Sequence, residues 1–326
     1  MMTLDEVKEL VRLHGENMSL SFGEGELRQF VDLLSKSSDF GDCLIVNCSL
    51  RLDKTFRTWD PEAMFNLFVH DVTVDSDNPF YTVCDGMLLS KDKTHLYLVF
   101  KDDSSEIRVP SFVNAIEPYA FSSLQKTETC VLPESLEHIA HDQFTRSSIA
   151  HVTLPESVLT IDEAAFCCCS IKSIVVPSKA KCGMFSLDPP EIIKDNSAVG
   201  SFLGSQLETI EVSKDNPYYV SKGGCIYSKD GKMLIKVPQH MKGDEKGVFT
   251  IPEGVEVIGG HAFNGCTRIE KVHAPSTLKE IRPLAFYHST VKQFDVPFGI
   301  PCDVSYYLND DDTEPQKGPA CAYYIP

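Results

Sequence analysis

No stretch of this 326-residue sequence approaches the roughly 18 to 20 consecutive apolar residues that cross a bilayer as a helix. The opening segment, Met1-Met2-Thr3-Leu4-Asp5-Glu6, lacks the basic stretch and the apolar run of a secretory signal. A cytoplasmic location is therefore expected, with the cell surface, or secretion by a route without a visible signal, as the alternative. Basic side chains are scarce: 30 Lys and Arg against 47 Asp and Glu leave a formal charge of −17. That excess opposes docking on phosphate backbones and anionic membranes, so nucleic acid is not an expected partner. The 12 cysteines include no Cys-x-x-Cys pair and fit no compact disulfide framework, which favours buried free thiols.

The fingerprints of common catalysts are missing as well. Phosphate-loop, G-x-S-x-G, H-E-x-x-H and dinucleotide-binding patterns do not occur, and Gly224 and Gly231-Lys232 are separated by six residues where a phosphate loop needs four. Asp75, Asp77 and Asn78 carry calcium-loop chemistry but lack the glycine and distal glutamate of such a loop, so they read as turn caps. Three adjacent side chains cannot all converge on one ion, so Cys167-Cys168-Cys169 is no metal site on this reading. Cys169 aligns with Cys266 as a small buried sulfur, and Cys167 and Cys168 remain as candidate exposed thiols. Neither an enzyme nor a metal or cofactor is expected.

What is present is a repeat. Pro133-Glu-Ser-Leu-Glu-His-Ile139 precedes Phe144, and Pro155-Glu-Ser-Val-Leu-Thr-Ile161 precedes Ala165-Phe166. Pro252-Glu-Gly-Val-Glu-Val-Ile258 precedes Ala262-Phe263, and Pro275-Ser-Thr-Leu-Lys-Glu-Ile281 precedes Ala285-Phe286. Pro110 to Ile116, with Ala120-Phe121, keeps the same frame. The prolines at 110, 133, 155 and 177 are spaced 23, 22 and 22 residues apart, and those at 252, 275 and 297 are spaced 23 and 22 apart. Such a period marks stacked units of one short strand and one helical turn, each too small to bury its apolar face alone. Leu154, Val152 and Ile149, Val176, Ile174 and Ile171, and Val296, Phe294 and Val291 point inward. The alternating residues face out, and His151, Thr153, Ser173, Lys271, His273, Gln293 and Asp295 form the candidate partner-binding face.

A longer period overlies the first. Residues 72–98 align without gaps to 210–236 at an offset of 138, matching Asp77-Asn78-Pro79, Tyr81, Gly86 and Ser90-Lys91-Asp92 to Asp215-Asn216-Pro217, Tyr219, Gly224 and Ser228-Lys229-Asp230. Two inserted β-hairpins follow, near 78–100 and 216–250. In the first, Lys93 stands where the second has the turn glycine Gly231.

The D-N-P-x-Y segment, the S-K-D-G-K hairpin and IPEGVEVIGGHAFNGCTRIEKV together resemble the BspA-like leucine-rich repeat family. The resemblance spans about residues 72 to 302. It implies a parallel-strand solenoid used in adhesion or protein recognition, and no catalytic residues.

The expected architecture is thus a leucine-rich-repeat solenoid of parallel β-strands with short helical turns, inserted β-hairpins and an N-terminal α-helical cap. Residues 1–60 hold the cap and a first worn repeat, 61–302 the solenoid and 303–326 a C-terminal cap. Helices are expected over 3–14, on a Thr3/Glu6 capping box, and over 24–36, on the Leu27, Phe30, Val31 and Leu34 stripe. The rhythm fails between Pro177 and Ile210, where Gly200-Ser-Phe-Leu-Gly204 suggests a degenerate repeat turn. The expected function is that of a monomeric, non-catalytic scaffold offering its outer sheet face to a protein partner. A surface adhesin for host or matrix protein or glycan, and an enzyme with its site in 178–209, are the competing readings.

Overall fold

Each repeat proline ends one strand and starts a tight turn that sets the next. In the computed structural model, which describes residues 18–35, 46–182, 200–202, 204–282, 284–297 and 300, the proline carbonyl accepts from the N–H three residues on. Val113 donates to Pro110 at 3.0 Å, Leu136 to Pro133 and Val158 to Pro155 at 3.1 Å, and Leu278 to Pro275 at 3.2 Å. The turn aims the branched residue inward, and Val113, Leu136 and Val158 are fully buried.

The chain then extends for two residues and pairs again. Ala115–Ile116, His138–Ile139, Thr160–Ile161, Val257–Ile258 and Glu280–Ile281 are short strands that the repeat pattern alone does not reveal. Each of these five layers therefore contributes two strands, one before the proline and one ending at the isoleucine. The expected helical turn is a run of i to i+3 hydrogen bonds, such as Ser122 N–H to Tyr119 O at 3.0 Å and Leu124 N–H to Phe121 O at 3.1 Å. It opens on a residue in the left-handed region: Tyr119, Asp142, Ala164, His261 and Leu284 have φ between 51° and 60°. A non-glycine residue there costs about 1–2 kcal/mol. The reversal it permits drops the next phenylalanine into the core, where a ring stacks on its counterpart one layer on. Phe121 and Phe144 lie 5.1 Å apart at 11°, and Phe263 and Phe286 lie 4.8 Å apart at 16°.

The chain packs as two compact units, residues 1–150 and 151–326. In the first, Met18–Phe22, Val46–Leu52 and Leu67–Val74 form a parallel sheet of the worn repeats. The helix Glu26–Ser35 follows its first strand, with Gly23 N–H donating to Glu26 Oε2 at 2.6 Å and with Leu27 and Phe30 buried. The helix expected over 3–14 lies outside the described residues. Tyr81–Cys84, Met87–Ser90 and His95–Val99 run antiparallel, and the third then joins Ala115–Ile116 in parallel. Glu106–Arg108 pairs in parallel with Thr129–Val131.

The second unit repeats this plan. Tyr219–Lys222, Cys225–Ser228 and Met233–Lys236 form the second meander, which continues into Val257–Ile258 and Glu280–Ile281. Lys93 adopts φ 67° where Gly231 adopts 73°, so the first turn does tolerate its side chain. Asp92 Oδ1 accepts from Thr94 N–H there, as Asp230 Oδ1 accepts from Lys232 N–H. Each meander has a second tight loop as well, Asp85-Gly86 and Gly223-Gly224, with positive φ at both residues.

The irregular middle contains the expected degenerate turn. Gly200–Phe202 is one 3-10 turn, Phe202 stacks on Phe166 at 6.0 Å and 7°, and Ser201 Oγ donates to Ile161 O at 2.7 Å. Residues 183–199, most of the segment considered for a catalytic site, lie outside the described residues, as does the tail 303–326.

Candidate protein-binding face

The strands that precede the prolines build the candidate face, all of it within residues 151–326. Val248–Thr250, Lys271–His273 and Gln293–Asp295 are parallel, with Lys271 opposite Gln293, Val272 opposite Phe294 and His273 opposite Asp295. Alternation turns Val272 and Phe294 into the core, which they enter almost completely. Their neighbours Lys271, His273, Gln293 and Asp295 must then stand on the other side.

Three of these four do not stand independently. Asp295 Oδ2 lies 2.7 Å from Lys271 Nζ and 2.7 Å from His273 Nδ1, so one carboxylate oxygen ties two successive layers together. The Asp295 side chain is only 12% exposed, against 42% for that of His273, so the acid forms the floor and the imidazole the rim. Beside them Asp244 accepts the N–H groups of Lys246 and Val248 at 2.8 and 2.9 Å. Those bonds, with the charges of Lys246 and His273, hold its carboxyl below the usual range.

His151, Thr153 and Ser173 are brought to a separate part of the same unit. His151 and Thr153 are exposed on the strand His151–Thr153. Ser173 is exposed on Ser173–Val176, which pairs with Thr209–Val212, not with the sheet that carries Lys271. Sequence reasoning missed two members of this surface. Val175, at 56% exposure, stands outward opposite Glu211, whose Oε2 accepts from Ser221 Oγ at 2.6 Å. The run Ser-Ile-Val-Val hides the alternation because valine occupies both faces. Glu211 follows the irregular segment, where the 22-residue count is lost.

A cleft of about 390 Å³ in the first unit is lined by Asn47, Phe68, His70, Lys101, Asp102 and Lys126, among others. Its two acids and Lys101 are already engaged. Asp102 accepts the N–H groups of Gln125, Lys126 and Thr127 at 2.7 to 2.9 Å, and Lys101 pairs with Asp103 at 3.3 Å. Among the described residues no group of three or more His, Cys, Asp or Glu side chains is arranged to hold a metal ion, and no helix is long and apolar enough to cross a membrane.

Residues 99–184 and 246–303 match the BspA type leucine rich repeat region, in six copies. No curated protein matches the sequence. Among solved structures, a leucine-rich cell surface protein of Faecalibacterium prausnitzii is 18% identical with a TM-score of 0.48, over 88% of this chain and 71% of that one. A leucine-rich repeat protein of Eubacterium ventriosum is 16% identical with a TM-score of 0.43, over 68% and 72%. The pneumococcal vaccine antigen PcpA is 16% identical with a TM-score of 0.42, over 80% of this chain and 54% of that one.

Proposed function

From its place among the BspA-type leucine-rich repeat proteins, we propose that this chain is a non-catalytic scaffold whose exposed sheet face binds a protein partner. One observation carries the reading. The inward residues are committed to stacking, whereas Lys271, His273, Gln293 and Asp295 sit in fixed register on a rigid parallel sheet, with Lys271 and His273 already held by Asp295. Side chains ordered before a partner arrives lose less conformational entropy on binding, which favours affinity. The face is mixed in charge and small in apolar area apart from Val175, which suits a polar protein surface better than a membrane.

The test is affinity capture from the source cells, with wild type compared with a His151, Lys271 and His273 triple alanine variant. Any protein retained only by wild type is then titrated directly against both chains. A hot-spot residue contributes about 2 kcal/mol or more, so the affinity should fall roughly 30-fold. Identical partner sets and equal affinities would sink this face. An adhesin would use the same face, and glycan binding by wild type but not by the triple variant would convert the proposal to that form.

A further inference from the structure

Cys167 and Cys168 lie in the second unit, on the turn that follows the Phe166 ring, with their sulfurs 3.4 Å apart. In other layers the position of Cys168 is filled by Gly265, Arg146 or His288, all in the left-handed region, and Cys168 shares that conformation at φ 48°. Successive side chains of an extended chain point apart. The left-handed step at Cys168 undoes that alternation, and the two thiols come to one side. Cys168 N–H is anchored to Gly204 O at 2.9 Å. Gly204 also makes the room: at φ 65°, any Cβ there would stand 2.6 Å from Cys167 Sγ. Cys169 takes no part, being buried with its thiol turned to Phe166 O at 3.1 Å. Cys168 is exposed and Cys167 partly so.

The separation selects among the chemistries open to two thiols. A disulfide would require the sulfurs to close to about 2.05 Å between Cα atoms fixed by a single peptide unit, well inside the usual Cα span. With sulfur–ion bonds of about 2.3 Å, a tetrahedral ion needs the sulfurs about 3.8 Å apart and a linear one about 4.6 Å. At that bond length the observed 3.4 Å corresponds to a sulfur–ion–sulfur angle of about 95°. This is the near-right-angle bite of a pyramidal trivalent centre carrying a lone pair.

We propose that Cys167 and Cys168 form a chelating dithiol site for trivalent arsenicals. In the capture step both S–H bonds are replaced by arsenic–sulfur bonds, and the two protons leave with the arsenical oxygen as water. Arsenic and sulfur keep their oxidation states. The nine-membered ring so formed includes the Cys167–Cys168 peptide unit, and the turn already holds it close to the required shape.

The test uses the full, reduced chain and phenylarsine oxide, with the adduct followed by intact mass and peptide mapping under excess glutathione. A monothiol competes with single arsenic–sulfur bonds, whereas a chelate resists because its second bond forms at high effective concentration. Wild type should retain one phenylarsenic group on the Cys167-Cys168 peptide and release it to a small dithiol. Cys167→Ser and Cys168→Gly, the latter copying the equivalent Gly265, should each retain at least about tenfold less. Cys84→Ser should behave as wild type. Thermal unfolding of each variant establishes that it is folded. Equal retention by the two site variants would overturn the proposal, as would a wild-type adduct that glutathione strips, or a Cys167-Cys168 peptide isolated two hydrogens lighter that refuses the reagent.

Discussion

Asn78 and Asn216, 138 residues apart in sequence, make the same four hydrogen bonds. Asn78 Nδ2 donates to Asp53 O and Phe56 O at 2.7 and 3.0 Å, while its Oδ1 accepts from the N–H groups of Phe80 and Tyr81 at 2.8 and 2.9 Å. Asn216 Nδ2 donates to Pro177 O and Ala180 O, both at 2.9 Å, and its Oδ1 accepts from Tyr218 and Tyr219 at 2.9 and 3.0 Å. Each asparagine is buried and staples the base of a meander to the preceding layer. A lysine completes each staple, with Lys91 Nζ donating to Asn78 O at 2.8 Å and Lys229 Nζ to Asn216 O at 2.5 Å.

Replacing Asn216 by alanine leaves two buried carbonyls and two N–H groups without this partner. Chemical denaturation should show a loss of about 2–4 kcal/mol, and Asn216→Asp a similar loss because the carboxylate cannot donate to the two carbonyls. An unchanged midpoint would mean that water replaces the amide at no cost.

Lys236 is fully buried, and desolvation lowers its pKa to about 8. The equivalent position in the first meander is Leu98, also fully buried. Below pH 8 the ammonium is charged in both folded and unfolded chains, and the folded state carries the whole desolvation penalty. As pH rises from 8 towards the ordinary lysine value, the folded chain has lost its proton while the unfolded one keeps it, so the penalty fades. Lys236→Met should therefore be more stable than wild type by up to ~3 kcal/mol at pH 7 and by only ~1 kcal/mol at pH 10. The carbonyl of Asn264, which accepts from Lys236 Nζ at 3.0 Å, keeps Gln239 Nε2 as a donor at 3.2 Å. Urea melts at the two pH values decide it, and a variant less stable than wild type at pH 7 would refute the argument.

Phe263 is stacked on Phe286 and meets Phe249 edge-on at 5.5 Å. Phe263→Ala should cost about 3–5 kcal/mol through the cavity it leaves. A double-mutant cycle with Phe286→Leu should return a coupling of about 1 kcal/mol, the part that belongs to ring stacking. A coupling near zero would show that the two layers pack independently.

The described cysteines should divide by burial. Burial pushes the Cys48 and Cys182 thiols up to about 12, Cys169 and Cys266 up to about 11, and Cys130 and Cys225 higher still. Thiolate is the reactive form, so native alkylation at pH 8 should modify Cys84, Cys167 and Cys168, and the six buried thiols only after unfolding. Mass-mapped labelling before and after denaturant tests this, and rapid native modification of Cys225 would contradict it.

Much of the layer was legible in the sequence because a 22-residue unit repeats its demands. Proline, branched residue, isoleucine and phenylalanine recur at fixed steps, and period-2 alternation assigns Val272 and Phe294 to the core. The 138-residue offset likewise exposed a hairpin in each insert, down to the substitution of Gly231 by Lys93, while the third strand that makes each a meander came from the structure. The two-residue strands were not legible, since Ala115–Ile116 or Glu280–Ile281 is too short to show a period and forms only because a neighbouring layer offers a partner.

The sequence by itself determined the repeat, the inward residues and the outward set, because stacking imposes the same apolar pattern on every layer. Only the tertiary structure decided how the outward set is grouped. It joined Lys271 and His273 through Asp295 and placed Ser173 on another sheet, exposed Val175, and brought the sulfurs of Cys167 and Cys168 within 3.4 Å. Those outcomes depend on which strands pair between parts of the chain distant in sequence and on one left-handed residue in a turn, and neither leaves a periodic trace along the chain.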